Sequence, residues 1–398
     1  MGIVVESARG CSIRTADGRE YIDLLAGIGV AALGHGEPRV LAAIDEQAHR
    51  HLHVMVYGEV VQSAQVALAK RLAGLLPATL DCVYFTNSGT EAVEGALKLA
   101  RKATGRTRLV AFHGGFHGDT LGALSVGGNP IYRRPFEPLL PDVDFLTFND
   151  VAGLRAIDER TAAVIVEPVQ AEAGVILPKP GFFAALRQQC SSVGALLVFD
   201  EVLTGFGRTG TLFAFERDGT APDVLVLAKA LGGGLPLGAF VAARSLMRTL
   251  ALDPPLAHVT TFGGHPLSCA AGLASLEIVV AEALPERGER AGARLAGALR
   301  EALPREIHRE VRRAGLLVGI EMVDATHAER FVAECRQDGL FLGWTLNDDR
   351  VVRLCPPLVI TDAEIDEAAQ RMERAARRLH TKPDELLTAG RKPASGRR

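Results

Sequence analysis

From Cys82 onward the chain alternates short, continuously apolar runs with longer stretches whose apolar residues recur at helical spacing. The runs fall at 82–86, 109–112, 162–166, 195–199, 224–228 and 239–242, with helical patterns such as 90–103 and 182–192 between them. A strand that is apolar at every position is covered on both faces, and parallel neighbours need a crossover helix. This order predicts an α/β fold, a mostly parallel, doubly wound sheet with helices on both sides. Ligands of such sheets bind beyond the carboxyl ends of the strands, so the residues that follow each run carry the functional information.

The 44 basic and 47 acidic residues nearly cancel, leaving a net charge of −3. No long-range field would attract nucleic acid or an anionic membrane. No apolar run approaches the roughly 18 residues needed to span a bilayer, and residues 1–10 lack the basic flank and apolar stretch of a signal peptide. The six cysteines are scattered, with no Cys-x-x-Cys, as in a protein of a reducing compartment. A cytoplasmic enzyme without nucleic-acid or membrane partners is the expectation. The 42 glycines exceed average usage of roughly 7%, and imply tight turns or backbone drawn close to a ligand.

A long apolar helix over 266–283 is followed by Leu284-Pro-Glu286, which reads as a boundary. Beyond it a helix, a strand at 316–323, a helix near 327–337 and strands near 340–344 and 351–354 suggest a smaller α+β domain over 284–380. Its last helix opens at Thr361-Asp-Ala-Glu364, a capping-box spacing. Residues 381–398 have little to bury and read as a frayed tail.

Four features follow the apolar runs. Asp200 ends Ala195-Leu-Leu-Val-Phe-Asp200, where a carboxylate is costly unless paired; a cap or turn role is the plainer alternative. Lys229 follows the run 224–228 and precedes Ala-Leu-Gly-Gly-Gly. A buried amine there would have a lowered pKa and could form a Schiff base; the alternative is a snorkelling lysine. Asn87-Ser-Gly-Thr90 leads from strand to helix and offers free N–H groups to a phosphate, although an ordinary N-cap explains it equally well. His113-Gly-Gly-Phe116-His117 pairs two histidines, but the glycines disfavour a rigid metal-binding helix and no further ligand stands nearby, so no metal is expected. Phe116 could stack on a ring or pack in the core. Gly205-Phe-Gly207-Arg-Thr-Gly210 matches a dinucleotide pattern, yet five residues separate it from the strand and no helix follows. A glycine-shaped loop fits better than a nicotinamide site.

A Schiff-base lysine, a strand-end Asp, an aromatic plate and a phosphate cradle are together what pyridoxal phosphate needs. At these residues the chain resembles the class III aminotransferases, in the subgroup of acetylornithine and ornithine aminotransferases. The resemblance runs from Asp17-Gly-Arg-Glu-Tyr-Ile-Asp23 to Val352-Arg353-Leu-Cys-Pro356-Pro357. It centres on Asp200-Glu-Val-Leu-Thr-Gly-Phe-Gly-Arg-Thr-Gly210 and Leu227-Ala-Lys229-Ala-Leu-Gly-Gly-Gly234. It implies the aspartate-aminotransferase-like fold, with residues 1–45 packing on the smaller domain and 46–283 forming the large cofactor domain. By resemblance, Lys229 holds the cofactor and shuttles a proton, and Asp200 keeps its ring nitrogen protonated. Phe116 and Val202 sandwich the ring, and Ser88, Gly89 and Thr90 hold the phosphate. Thr261 reaches the phosphate of a neighbouring subunit, so the implied unit is a homodimer. Arg353 binds a substrate carboxylate, Glu172 masks its charge, and Tyr57 and Ile28 contact substrate.

Three positions depart from the ornithine type. Asp119 replaces the arginine that grips the far carboxylate of glutamate or 2-oxoglutarate, and is closer to the diaminopelargonate-synthase and ω-amine branches. Leu203 replaces a glutamine on the ring hydroxyl. His265 replaces an asparagine and is expected to act as a loop hydrogen-bonder. The reading is an aminotransferase with an amino-acid or ω-amine donor and a 2-oxo acid acceptor. A mutase, epimerase or decarboxylase on the same scaffold, or a nicotinamide oxidoreductase, are the alternatives.

Overall fold

The computed structural model describes residues 2–55 and 60–381. Its centre is a seven-stranded sheet with the strands in the order Cys82–Thr86, Gly238–Ala242, Val224–Leu227, Leu196–Asp200, Thr161–Val166, Arg108–Phe112 and Val143–Leu146. All pairings are parallel except those of Gly238–Ala242, which runs against both neighbours. Every residue of Thr161–Val166 and Val224–Leu227 is buried. Their alternate side chains feed two separate cores. Leu225 and Leu227 belong to the core shared with the helices Ser63–Ala73 and Phe182–Val193, whereas Val224 and Val226 face the helix Gly89–Thr104.

Helix formation follows local chemistry. Ser88 caps Gly89–Thr104 by accepting from the Glu91 N–H, and Gly105 closes the helix in the left-handed region. Thr361 and Glu364 form the expected reciprocal capping box, Thr361 N–H to Glu364 at 2.7 Å and Glu364 N–H to the Thr361 hydroxyl at 3.2 Å. The helix expected over 266–283 spans Pro266–Ala281 and packs against Pro38–Arg50 and Ser63–Ala73. Among the described residues no single helix is long and apolar enough to cross a membrane.

From Leu284 onward the helices Leu284–Ala302 and Ala325–Gln337 pack on an antiparallel sheet ordered His308–Ala314, Leu317–Met322, Val351–Leu354 and Gly343–Trp344, and Asp362–Thr381 packs on both helices. The strand His308–Ala314 was not anticipated. It lies at the sheet edge, where His308-Arg-Glu-Val-Arg-Arg carries the charges that keep an edge from pairing further. Val143–Leu146, an edge strand of the large sheet, was missed for the same lack of a continuous apolar run. The N-terminal strands Val5–Arg9, Ser12–Thr15 and Glu20–Asp23 form a third sheet, which Leu340–Phe341 joins in parallel, so the start of the chain is tied to its last third. Most of the stretch read as a tail, from 382 on, lies outside the described residues.

Candidate active site

Parallel strands bring their ends to one rim. Thr86, Asp200 and Leu227 finish there, and the segments after Phe112 and Val166 join them. Gly238–Ala242, running the other way, brings its beginning. The result is a cavity of ≈430 Å³ whose lining includes Ser88, Gly89, Thr90, Phe116, Glu172, Asp200, Val202 and Lys229. A larger groove of ≈760 Å³ between Ser63–Ala73, Cys82–Thr86 and the 244–263 segment has no lysine or carboxylate in its lining, so it lacks the groups the chemistry needs.

Lys229 follows the buried strand Val224–Leu227 with φ 48°, a conformation that costs a non-glycine residue energy and concentrates at functional sites. Burial pushes its ammonium below the usual lysine range; Glu172 and Asp200 oppose that shift, and Arg353 adds to it. Asp200 is buried and doubly paired, with His117 Nδ1 2.8 Å from Oδ2 and the Val202 N–H donating to Oδ1 at 3.0 Å. Against a carboxylate, the His117 Nδ1 carries the proton.

Glu167 accepts from the Phe116 N–H at 3.0 Å and from the Ala171 N–H at 3.2 Å. It thus fixes both the segment that presents Phe116 and the turn that carries Glu172. Burial pushes its carboxyl up to about 7, with His117 opposing and Asp200 reinforcing the shift. Glu172 pairs with Arg353, which is 3% exposed on the strand Val351–Leu354.

The cavity fits pyridoxal phosphate. At the helix start the Ala92 N–H goes to the Ser88 carbonyl at 3.1 Å and the Glu91 N–H to the Ser88 hydroxyl at 3.3 Å. That leaves the N–H groups of Gly89 and Thr90 for an anion. A Cβ on Gly89 would stand 3.0 Å from Val202 Cγ2, so a side chain there would crowd the space between helix and ring wall. The Thr90 hydroxyl is engaged with that of Thr120 at 2.7 Å, which points to backbone rather than hydroxyl capture at this residue. The donor set suits the cofactor from end to end, with an amine, a hydrogen-bonded carboxylate, apolar Phe116 and Val202, and a helix start.

Comparison with known proteins agrees. The sequence matches the aminotransferase class-III family over residues 1–376. The chain belongs to the class III aminotransferases. It is 44% identical over 378 residues to an acetylornithine aminotransferase of Methanopyrus kandleri, covering 94% of each chain. It is 43% identical to the acetylornithine aminotransferase of Methanosarcina mazei, covering 94% of this chain and 91% of that one. Among solved structures it resembles the ornithine aminotransferase of Toxoplasma gondii, with TM-score 0.89, 32% identity, and coverage of 96% and 92%. It also resembles an amine transaminase from an uncultivated Pseudomonas species in its pyridoxal-phosphate-bound form, with TM-score 0.88, 30% identity and 95% coverage of each. This class III aminotransferase is a pyridoxal-phosphate-dependent transaminase.

Other expected residues sit differently around the cavity. Asp119 is exposed beside Gly118, which lines it. Ile28 is 46% exposed at φ 62°, two residues from the lining Val30. Thr261 lies exposed on the loop before Pro266–Ala281, outside this lining. Tyr57 lies outside the described residues. Leu203 lines the cavity. His265, expected as a loop hydrogen-bonder, caps its helix through its carbonyl, which accepts from the Cys269 N–H at 2.9 Å, and not through its side chain; its ring stacks on that of His53 at 6.0 Å. His117 and Glu167 were missed as site residues. In the sequence His117 stands out only as a metal-ligand candidate beside His113, whereas in the fold His113 is exposed and His117 is buried on Asp200. Gly205, Gly207 and Gly210 shape a turn, not a dinucleotide loop. At φ 90° Gly207 lets Leu358 and Pro285 of the C-terminal part approach, where a Cβ would meet Leu358 at 2.9 Å.

Proposed function

We propose that this transaminase takes an amino group from an ω-amino acid, an α-amino acid or a related amine and passes it to a 2-oxo acid, in two half-reactions at the one cavity. The convergence of Lys229, the His117–Asp200 pair and the Glu172–Arg353 pair carries the reading. Pyridoxal phosphate, when bound, supplies an aldehyde for the donor's amine and a ring that accepts electrons from its Cα.

Lys229 holds the cofactor; once displaced, its amine, with its pKa lowered by burial, moves the proton at Cα. Asp200, oriented by His117, holds a proton on the ring nitrogen. Phe116 and Val202 flank the ring. The N–H groups of Gly89 and Thr90, with Ser88 beside them, hold the phosphate. Arg353 receives a substrate carboxylate, and Glu172 covers its charge for a substrate that presents none.

The relatives named above act on acetylornithine, ornithine and amines, which supports an amine-bearing donor. Asp119 opposes a second acid group on the acceptor, by about 1 kcal/mol at 4 Å in water and more where solvent is excluded. Glutamate and 2-oxoglutarate are therefore disfavoured. The exposed position of Thr261 supports its reaching the phosphate site of a second copy, in a homodimer with shared sites. Ile28 and Tyr57 belong to the substrate wall in this reading, and the smaller domain begins at Leu284, with residues 1–45 packing on it. All six cysteines are unpaired, which supports a cytoplasmic location.

The decisive experiment adds a donor alone to purified enzyme and measures product per active site. One equivalent of oxo product and no more supports transamination. Continuous turnover without acceptor means a mutase, epimerase or decarboxylase. Lys229→Ala should lose borohydride-stable attachment of the cofactor and slow turnover by on the order of 10²–10⁴-fold; retention of both overturns the role of Lys229.

A further inference from the structure

The turn at 345–350 joins the strands Gly343–Trp344 and Val351–Leu354 and docks across loops of the large domain. The Leu346 N–H donates to Oε2 of Glu172 at 2.9 Å, and the Asn347 N–H donates to the Glu172 carbonyl at 2.8 Å. The Asn347 side chain reaches further. Its Nδ2 donates to the Gly114 carbonyl at 2.8 Å and its Oδ1 accepts from Asn129 Nδ2 at 3.1 Å. The Tyr132 hydroxyl donates to the Leu346 carbonyl at 3.1 Å. One hairpin therefore grips the Glu172 carboxylate twice, with Arg353 of its strand on Oε1 and a backbone N–H of its turn on Oε2.

The two grips differ in how they can be released. Arg353 is buried on a strand paired on both sides, opposite Gly319 and Gly343, so its position is fixed by the sheet. The turn keeps its own shape, through the Thr345 hydroxyl on the Asp348 carbonyl at 2.6 Å and the Arg350–Asp348 pair at 2.8 Å. The Asn347 side chain sets where that turn sits against Gly114 and Asn129. To uncover Arg353, Glu172 must leave the Leu346 N–H as well as the guanidinium, and both bonds are charge-assisted.

We propose that Asn347 is a positioning residue for substrate selection. By seating the 345–350 turn it holds Glu172 over Arg353, biasing the site against substrates that bring a carboxylate to Arg353 and toward donors that present an amine without one. The consequence for donors rests on the function proposed above; the control of access to Arg353 does not.

The test is calorimetric titration of propanoate, a carboxylate with no amine to transfer, into the holoenzyme. Asn347→Ala should tighten its binding by roughly three- to tenfold, the scale of one or two lost hydrogen bonds. In a Glu172→Ala background the same substitution should change nothing, because the group it positions is gone. In kinetics, Asn347→Ala should lower KM for a carboxylate-bearing donor with kcat little changed, and should not lower KM for an amine lacking a carboxylate. Unchanged propanoate affinity, no binding in either protein, or an equal shift in the Glu172→Ala background overturns the proposal. Should Asn347→Ala fail to fold, Asn129→Ala removes one of the two side-chain anchors and should shift affinity the same way by a smaller factor; no shift overturns the proposal. If no donor turns over at all, the transaminase assignment to these substrates fails while the titration still decides the role of Asn347.

Discussion

Nδ1 of His117 stands 2.8 Å from a carboxylate oxygen of Asp200, and both side chains are almost wholly removed from solvent. Burying that carboxylate would be costly without the imidazole and the Val202 N–H to receive its lone pairs. His117→Ala leaves Asp200 with one donor fewer, which should destabilise the protein by about 1–3 kcal/mol and weaken its hold on the cofactor. Urea denaturation and a cofactor titration followed by visible absorbance measure the two effects. Unchanged values in both would show that Asp200 does not depend on His117.

Asp119→Arg should lower KM for 2-oxoglutarate, because the substitution turns repulsion of the second carboxylate into attraction. Acceptor preference is measured with a panel of mono- and dicarboxylic 2-oxo acids. If the ranking does not change, the exposed Asp119 faces away from the acceptor and the selectivity lies elsewhere in the wall.

The contribution of Glu201 to stability should fall as pH rises toward neutrality. Glu201 is wholly buried, accepting from the Ala214 and Phe215 N–H groups at 2.6 and 2.9 Å, and burial pushes its carboxyl up to about 7. A folded-state pKa above the unfolded one means that the native protein binds the proton more tightly. The contribution is complete below the unfolded value, about 4.3, and is lost as pH rises through about 7. Glu167, also raised to about 7, acts with the same sign. Glu201→Gln should flatten the decline between about pH 5 and 8 by up to about 1.4 kcal/mol per unit. Urea midpoints across that range give the slope, and a slope equal to that of the parent protein would show Glu201 ionised throughout.

Two glycines of the helix Leu284–Ala302 should respond oppositely to alanine. A Cβ on Gly292 would stand 1.8 Å from the Gly315 carbonyl oxygen, whereas one on Gly297 meets nothing within 4 Å. Gly292→Ala should cost about 1–3 kcal/mol through backbone displacement. Gly297→Ala should gain about 0.5–1 kcal/mol from helix propensity. Thermal unfolding of the two variants side by side checks the contrast; equal shifts would mean that the Gly315 turn moves freely.

What could be read from the sequence follows burial. Strands such as Val224–Leu227, covered on both faces, are apolar at every position and announce themselves. Lys229 and Asp200 stand out because charge at the end of such a run needs a reason. His308–Ala314 was invisible because an edge strand carries charges on a backbone that only its neighbour Leu317–Met322 holds extended. The role of Asn347 was invisible for a different reason. Its side-chain partners Gly114 and Asn129 lie 233 and 218 residues away, and polar contacts between distant loops leave no periodicity in either.

The one antiparallel strand of the large sheet, Gly238–Ala242, has a consequence for how the scaffold can change. It offers the cavity its approach, Gly234-Leu-Pro-Leu237, instead of its end. That approach contributes apolar bulk and no acid or base. It follows Lys229 directly along the chain, so the buried amine and this apolar lining are carried by one connection between neighbouring strands. Leu237 belongs to the core, whereas Leu235 is only partly buried beside it, so the lining can change size at Leu235 with less cost to packing than at Leu237.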